Sequence, residues 1–260
     1  MPDERVKLTY DGPVAVITND NPDKKNAFDD EMDLALFEIL ADLKERKDVR
    51  AVVWRGEGSI WSSGRDVGAI GGGQVEMTHH ELMTRGQKGI QQVWDIEAPI
   101  IVAIQGWAIG GSFQRALLCD LRIAAEGARF MLPETTYGVI PDTGGVGVLF
   151  QMAGHGVVSD MVLTGRPLSA EEALHHGIVS RVVAPEELDD TAMAMAHEIA
   201  GRSAVAVKMA RKVIRHLGHA QQRAAMEDEL IYQTFINKSD DYAEQRAAHA
   251  EGRDPVFKGS

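Results

Sequence analysis

The hydrophobic pattern is most informative between residues 99 and 120, where three kinds of segment follow one another. Residues 100–104 form an uninterrupted apolar run with β-branched side chains, which is typical of a buried strand. Gly106 then turns the chain, and the pair Gly110-Gly111 allows two backbones to approach because neither residue carries a Cβ. From Ser112 onward the apolar residues recur with helical spacing. Gly111 is therefore predicted at the start of a helix, where its unpaired N–H group can hold developing negative charge.

Strands and helices alternate along the first 183 residues. A hairpin is predicted at 6–18 around Asp11-Gly12, and buried strands are predicted at 49–55, 121–125 and 179–183. Asp29 or Asp30 is the expected cap of the first helix, and a Ser-x-x-Glu capping box opens the last one. One helix is expected to begin after residue 29 or 30, and another is expected to begin at residue 112. Further helices are expected at 81–96, 146–153 and 169–176.

Beyond Pro185 the strand signals stop and helical periodicity takes over. Helices are predicted at 187–201, 205–216, 220–233 and 242–251. The sequence therefore predicts an α/β fold with a core region at 1–188 and a helical region at 189–260. The second region has too few apolar residues for its own core, so it should pack on the first region or on a neighbouring subunit. The segment 69–77 has no periodicity and is expected to be a mobile surface loop.

Composition narrows the possible functions. The 260 residues carry a formal net charge of −12, which argues against nucleic acid or an anionic membrane as the main partner. Cys119 is the single cysteine, so neither a disulfide framework nor a cysteine-based metal site is expected. No signal-peptide core is recognisable, no apolar run is expected to approach membrane-spanning length, and a cytoplasmic location is predicted.

Two glycine-containing turns follow predicted buried strands and suggest a common task. Ser63-Gly64-Arg65-Asp66 follows one strand, and Gly110-Gly111 follows another. One backbone N–H group from each turn could converge on a single carbonyl oxygen, and such a pair stabilises an oxyanion more than a neutral carbonyl. From periodicity alone, two ordinary strand-to-helix turns remain the alternative. A dinucleotide-binding dehydrogenase is disfavoured because the G-x-G-x-x-G spacing is absent.

The residues of several motifs resemble those of the crotonase, or enoyl-CoA hydratase/isomerase, family. The resemblance extends over nearly the whole chain. The motifs that carry the resemblance are Ser63-Gly64-Arg65-Asp66-Val67, Gly106-Trp107-Ala108-Ile109-Gly110-Gly111-Ser112, Leu132-Pro133-Glu134, residues 138–145, the loop from Pro22 to Phe28, and residues 252–259. The resemblance implies a repeated β-β-α superhelix with a helical C-terminal region, assembled as a homotrimer or a dimer of trimers. It also implies an acyl-CoA substrate and no metal or separate cofactor, coenzyme A being part of the substrate.

The resemblance assigns roles to individual positions. Arg65 and Gly111 would supply the two N–H groups of an oxyanion hole, and Glu134 would move protons. The Arg65 side chain would then be free to lie near the CoA phosphates. The expected substrate-contacting and CoA-contacting residues are Lys25, Ala27, Phe28, Ser63, Gly64, Arg65, Asp66, Val67, Trp107, Gly110, Gly111 and Pro133.

Gln114 departs from the pattern of the family's hydratases, which carry a second glutamate there. Gln114 lies one helical turn after Gly111 and so should face the site. A glutamine can orient water or a substrate group but cannot exchange a proton at accessible pH. Isomerisation of a double bond needs only one carboxyl group, so the substitution favours isomerisation over hydration.

Asp142 has two interpretations. Its position before an apolar helix favours a capping role for the helix expected to begin at Gly145. Alternatively, Asp142 is a second acid, which would permit hydration by Glu134 together with Asp142 or with water held by Gln114. A non-catalytic acyl-CoA-binding protein is the remaining hypothesis, because one catalytic acid of the hydratases is missing.

Overall fold

The computed structural model of the chain describes residues 3–66, 68 and 77–260. The predicted loop at 69–77, apart from Met77, and the predicted contact residue Val67 lie outside the described residues. The strands of the described part are β1 Val6–Asp11, β2 Val14–Asn19, β3 Ala51–Gly56, β4 Ile100–Ile104, β5 Trp107–Ile109, β6 Leu121–Ala125, β7 Arg129–Met131, β8 Leu168–Ser169 and β9 Arg181–Val183. The α-helices are α1 Asp30–Glu45, α2 His79–Gln91, α3 Gly110–Leu118, α4 Gly145–Thr164, α5 Ala170–His175, α6 Leu188–Ala200, α7 Ala204–Ile236 and α8 Asp240–Glu251.

Two sheets organise these elements. The larger sheet has the order β1-β2-β3-β4-β6-β9 and is parallel except for the β1–β2 hairpin. The smaller sheet has the order β5-β7-β8. The repeated passage from the larger sheet to the smaller one and on to a helix is the β-β-α superhelix that the sequence predicted. The three short strands of the smaller sheet were not predicted, because segments of two or three residues carry no detectable periodicity.

The central strands of the larger sheet are buried on both faces, which explains their apolar runs. In β4, Ile100, Val102 and Ile104 belong to the main core with α1 and α3. Ile101 and Ala103 point to the opposite face, where helix α6 covers them. Alternate residues of one strand therefore serve two separate cores.

Local end signals are confirmed at several helices. The Asp29 side chain accepts a hydrogen bond from Met32 N (3.0 Å) and caps α1. Ser169 and Glu172 form the predicted capping box of α5. These signals depend only on neighbouring residues, so they can be recognised in the sequence.

Helix α7 corrects the prediction of two helices at 205–216 and 220–233. It is continuous from Ala204 to Ile236 and passes through Gly218 without a break. Gln151 of α4 donates a hydrogen bond to the carbonyl oxygen of Gly218 (3.0 Å), and a Cβ at Gly218 would collide with the Gln151 side chain. The glycine thus permits close packing of two helices rather than ending one.

Helix α4 is long and apolar enough to cross a membrane by length and composition, contrary to the sequence expectation. Its backbone, however, leaves the helical region at Gly154 (φ 76°, ψ 173°). The segment therefore consists of two shorter helical pieces, and each falls short of the roughly 20 residues that a membrane-spanning helix requires.

The close approach of Gly64 to β5 yields the first prediction. Gly64 has φ 94°, and a Cβ there would lie 2.7 Å from the Ile109 carbonyl oxygen. Gly127 also has positive φ (77°) but nothing within 4 Å of such a Cβ. Gly127→Ala should lower the free energy of unfolding by about 1 kcal/mol, and Gly64→Ala by about 1–3 kcal/mol more. Urea unfolding measures both, and equal losses would contradict the contact.

Candidate active site

The two glycine-containing turns lie side by side. The residues after β3 pair with the residues after β4: Ser62 N donates to Trp107 O (3.1 Å), and Ile109 N donates to Ser62 O (3.2 Å). The Ser62 hydroxyl lies 2.7 Å from the Ser112 hydroxyl and joins the turn to the start of α3. These contacts bring the two predicted N–H donors, Arg65 and Gly111, to one cavity, whose wall includes both residues.

Neither of these two N–H groups donates a hydrogen bond to another described residue. Gly111 is the second residue of α3, so its N–H precedes the first intrahelical acceptor. Arg65 forms a bridge with Phe28, in which Phe28 N donates to Gly64 O and Asp66 N donates to Phe28 O (both 2.8 Å). In this pattern the intervening Arg65 N–H takes no part in the backbone hydrogen bonds of the bridge. Two free amide donors therefore border one cavity.

The Arg65 side chain is paired with two carboxyl groups of the protein. Its Nη1 atom pairs with Asp33 Oδ2 (3.1 Å), and its Nη2 atom pairs with Asp30. Both aspartates belong to α1, so the guanidinium is fixed against that helix. The side chain is therefore not free in this structure, and its contact with CoA phosphates stays a prediction.

The cavity has a volume of about 340 Å³ and is bordered by the ends of several elements. Of the predicted contact residues that the structure describes, Phe28, Gly64, Arg65 and Gly111 are part of its wall. The cavity wall does not include Lys25, Ala27, Ser63, Asp66, Trp107, Gly110 or Pro133. Lys25 is exposed, and its carbonyl oxygen accepts from Ser63 N (3.0 Å), which joins the first loop to the second turn.

Glu134 lies at the start of a short 3₁₀ turn after β7 and reaches the cavity wall. Its Oε1 atom accepts a hydrogen bond from Gln114 Nε2 (2.8 Å), whereas its buried Oε2 atom has no partner among the described residues. Loss of solvent, assisted by the charge of Asp142, raises the pKa of Glu134 to about 7. One oxygen is thus fixed and the other is available for proton transfer near neutral pH.

Gln114 is fully buried, and both ends of its amide are engaged. Besides donating to Glu134, it accepts at Oε1 from Thr143 N (2.9 Å) and Gly145 N (3.3 Å). The neighbouring groups determine this amide orientation, because backbone N–H groups need an acceptor and a carboxylate needs a donor. Gln114 therefore holds Glu134 and the turn at 143–145 in one arrangement.

Asp142 does not cap α4, and the capping prediction is wrong. The cap position is Gly144, with φ 93° and no side-chain hydrogen bond. The Asp142 carboxyl instead borders the cavity and accepts from its neighbour Thr143 Oγ1 (3.5 Å). Burial raises the pKa of Asp142 to about 6. The cavity therefore has two carboxyl groups, Glu134 and Asp142, that can exchange protons near neutrality.

A third carboxyl group, Glu229 of α7, was not predicted. Its Oε2 atom accepts from Gly144 N (2.8 Å), and its buried Oε1 atom has no described partner. Burial raises the pKa of Glu229 to about 8, and the nearby charges of Asp142 and Glu134 act in the same direction. The contact joins residues 85 positions apart, so no local pattern could have indicated it.

Comparison with known proteins shows the family of this chain. Residues 9–260 match the family model described as enoyl-CoA hydratase/isomerase. This chain belongs to that family. A carnitinyl-CoA dehydratase of Salmonella enteritidis PT4 is 34% identical over 264 residues, covering 98% of this chain and 99% of that protein.

Solved structures of the enoyl-CoA hydratase/isomerase family are also similar to this chain. A carnitinyl-CoA hydratase from Mycobacterium avium has 32% identity and a TM-score of 0.88, covering 99% of this chain and all of that chain. An enoyl-CoA hydratase/isomerase from Pseudoalteromonas atlantica T6c has 28% identity and a TM-score of 0.89, covering 98% and 100%. The crotonase-type fold and an acyl-CoA enzyme of this family are therefore confirmed, and a merely binding protein is disfavoured.

The buried Glu229 predicts a change in the pH dependence of stability. Because its folded pKa (about 8) exceeds the usual 4.5, the unfolded chain releases this proton first as pH rises. The free energy of unfolding therefore falls between these pH values. Glu229→Gln retains an acceptor for Gly144 N but removes this loss, so the stability of the variant relative to wild type should rise by roughly 3 to 4 kcal/mol between pH 5 and pH 8.

Urea unfolding at both pH values measures this difference. Glu227→Gln is the matched control, because Glu227 is exposed on the same helix and its replacement should leave the pH dependence unchanged. If Glu229→Gln and wild type differ equally at both pH values, Glu229 is not the buried acid described here.

Proposed function

We propose that the protein forms and reprotonates the enolate of an acyl-CoA thioester. The thioester oxygen accepts hydrogen bonds from the backbone N–H groups of Arg65 and Gly111, and Glu134 removes the proton at C2. The observation that carries this proposal is the free Glu134 Oε2 atom in the same cavity as two free amide donors. A base with a pKa of about 7 is ionised in a large fraction of molecules at neutral pH and still returns the proton readily.

The two backbone amides stabilise the negative charge that forms on the thioester oxygen. Removal of the C2 proton moves negative charge onto the thioester oxygen, and fixed donors stabilise that charge more than they stabilise the neutral carbonyl. The N-terminal end of α3 adds its positive dipole at Gly111. Neither proton transfer calls for a metal or a separate cofactor, and coenzyme A enters with the substrate.

Double-bond isomerisation is the reaction that this arrangement supports best. Glu134 takes a proton from C2 of a 3-enoyl-CoA, the resulting dienolate is held at its oxygen, and the same carboxyl returns the proton at C4. Hydration also needs a fixed water molecule. Gln114 offers no free acceptor for one, because its carbonyl oxygen already accepts two backbone N–H groups.

A second candidate reaction is reversible loss of water from a 3-hydroxyacyl-CoA. Asp142 favours it, because this carboxyl borders the same cavity and has a pKa of about 6. Asp142 would then protonate the departing hydroxyl group while Glu134 holds the C2 proton. Relatives named carnitinyl-CoA dehydratase also support chemistry of this class.

Substrate assays distinguish the two reactions. The purified protein is mixed separately with 3-hexenoyl-CoA and with crotonyl-CoA, and the absorbance of the conjugated enoyl thioester is followed. A rise with 3-hexenoyl-CoA and no loss with crotonyl-CoA supports isomerisation. Rapid loss with crotonyl-CoA supports the second candidate. Absence of C2 proton exchange in deuterated water with every thioester tried would contradict enolate formation altogether.

Replacement of the base tests the mechanism. Glu134→Gln keeps the size of the side chain but removes the proton acceptor, so turnover should fall by about 10²- to 10⁴-fold while thioester binding persists. Asp142→Asn is the informative companion: it should retain most isomerase activity but lose any hydratase activity. Steady-state kinetics and calorimetric titration measure these effects, and a fully active Glu134→Gln variant contradicts the assignment.

The predicted CoA contacts outside the cavity remain part of this proposal. Lys25 and Ala27 lie on the loop that joins the turn at Ser63, and this edge is where a bound thioester would leave the cavity. A cytoplasmic location also stays a prediction.

We further propose assembly as a homotrimer or a dimer of trimers. Helices α4 and α7 expose large apolar side chains, which another copy of the chain could bury. These exposed residues are Phe150, Leu163, Val205, Met209, Val213, Ile214, Leu217, Ile231, Tyr232 and Phe235. Eight of these side chains lie on α7, and this concentration favours burial in an assembly over isolated surface exposure.

Light scattering after size exclusion should give three or six times the mass of one chain. Leu217 is 83% exposed, so Leu217→Asp should weaken association by placing a charge in the apolar contact. Glu45→Lys on the exposed surface of α1 is the control and should not change the mass. A wild-type monomer at micromolar concentration would contradict the proposal.

A further inference from the structure

One side of helix α2 forms part of the cavity wall. Residues of α2 at relative positions 0, 3, 4 and 7 belong to this wall, and such residues share one side of a helix. They are His79, Leu82, Met83 and Gly86. The first three carry side chains, whereas Gly86 presents only backbone atoms. The helix therefore leaves a gap at Gly86 in the surface that borders the cavity.

The two neighbours of Gly86 in the chain show which way this gap faces. Arg85 Nη2 lies 3.2 Å from Asp30 Oδ1, and Gln87 Nε2 donates a hydrogen bond to the carbonyl oxygen of Asp142 (2.9 Å). All four of these residues belong to the cavity wall. Since Gly86 lies between two residues whose side chains contact other parts of that wall, a side chain at position 86 would point into the cavity.

Packing within the protein does not account for Gly86. A Cβ there would have no atom of a described residue within 4 Å, apart from its chain neighbours. Gly89, on the same helix, is different, because a Cβ there would collide with the Phe37 ring of α1. Gly89 is thus required for close packing of two helices. Gly86 has no such role among the described residues, although a glycine inside a helix is less stable than an alanine.

Open space alone does not indicate a function, as Gly156 of α4 shows. A Cβ at Gly156 would also have no described atom within 4 Å, but this residue is exposed and is not part of the cavity wall. Gly86 is half-buried, and its open space belongs to the cavity that Glu134 and Gly111 border. The position of Gly86, more than the space beside it, therefore points to the substrate.

We propose that Gly86 determines the size of the acyl group that the enzyme accepts. The substrate class is an acyl-CoA with more than four carbons in its acyl group, and this inference rests on the proposed function. Only carbons up to C4 take part in the proposed reaction, so the carbons beyond C4 need a wall of their own. Leu82, Met83 and Ile140 supply apolar surface in the same cavity. Burial of further methylene groups there stabilises the complex while the space at Gly86 stays open.

Binding of saturated thioesters, which cannot isomerise, tests this inference. Wild-type protein is titrated calorimetrically with butanoyl-CoA and with octanoyl-CoA. The four additional methylene groups should make octanoyl-CoA bind about 10- to 100-fold more tightly. In Gly86→Leu the new side chain occupies their space, so the ratio of the two Kd values should fall to near 1. Equal affinities in wild type, or an unchanged ratio in Gly86→Leu, would overturn the proposal.

Two further variants separate the size of the cavity from general damage. Gly156→Leu is the matched control, because it places the same side chain at an open helical glycine outside the cavity, and it should preserve the ratio. Gly86→Ala should raise the midpoint of thermal unfolding by about 1–4 °C while lowering the ratio partly. A lower midpoint in Gly86→Ala would mean that folding requires this glycine. That result, or an equal fall of the ratio in Gly156→Leu, contradicts the proposal.

C2 proton exchange in deuterated water separates this inference from the proposed reaction. If no thioester exchanges its C2 proton but Gly86→Leu abolishes the preference for octanoyl-CoA, the reaction is wrong and the role of Gly86 is right. If exchange occurs and Gly86→Leu keeps the preference of wild type, the reaction is right and the role of Gly86 is wrong. Where turnover is measurable, the ratio of kcat/KM between 3-octenoyl-CoA and 3-butenoyl-CoA should fall in Gly86→Leu as the binding ratio does.

Discussion

The contact between Gly64 and the Ile109 carbonyl is the constraint on which the site depends. A Cβ at Gly64 would lie 2.7 Å from that oxygen, so only a glycine allows the turn after β3 to touch the end of β5. Parallel strands β3 and β4 direct both turns to the same edge of the sheet. The contact then fixes the separation of the Arg65 and Gly111 amides. Without it, the two turns would be ordinary connections.

The carboxyl groups at the cavity differ in whether a neighbouring guanidinium group neutralises them. Glu134 and Asp142 border the cavity, Glu229 contacts Gly144 near them, and burial raises the pKa of each of these carboxyl groups. Asp30 and Asp33 are instead paired with the guanidinium group of Arg65. The first group is therefore suited to gaining and losing protons near neutral pH.

The sequence predicted those features that depend on neighbouring residues or on a distinctive motif. The strand before Gly106, the helix at Gly111 and the Asp29 cap are of this kind, and the structure confirms them. Asp142 was misjudged because an aspartate before an apolar helix has the same local pattern whether it caps the helix or faces a cavity. Glu229 could not be found from local sequence, because its partner Gly144 is 85 residues away. Gly218 was misjudged for the same reason, since its role depends on Gln151.

Gln114 links these observations, because a glutamate could not make the same three contacts at neutral pH. An ionised carboxylate can accept from Thr143 N and Gly145 N but cannot donate to Glu134. It would also place a fourth carboxyl beside three that burial already raises in pKa, and like charges in a dry region oppose ionisation further. A glutamine accepts with its oxygen and donates with its nitrogen, and it carries no charge. The neutral residue therefore stabilises Glu134 in a position where its second oxygen stays free.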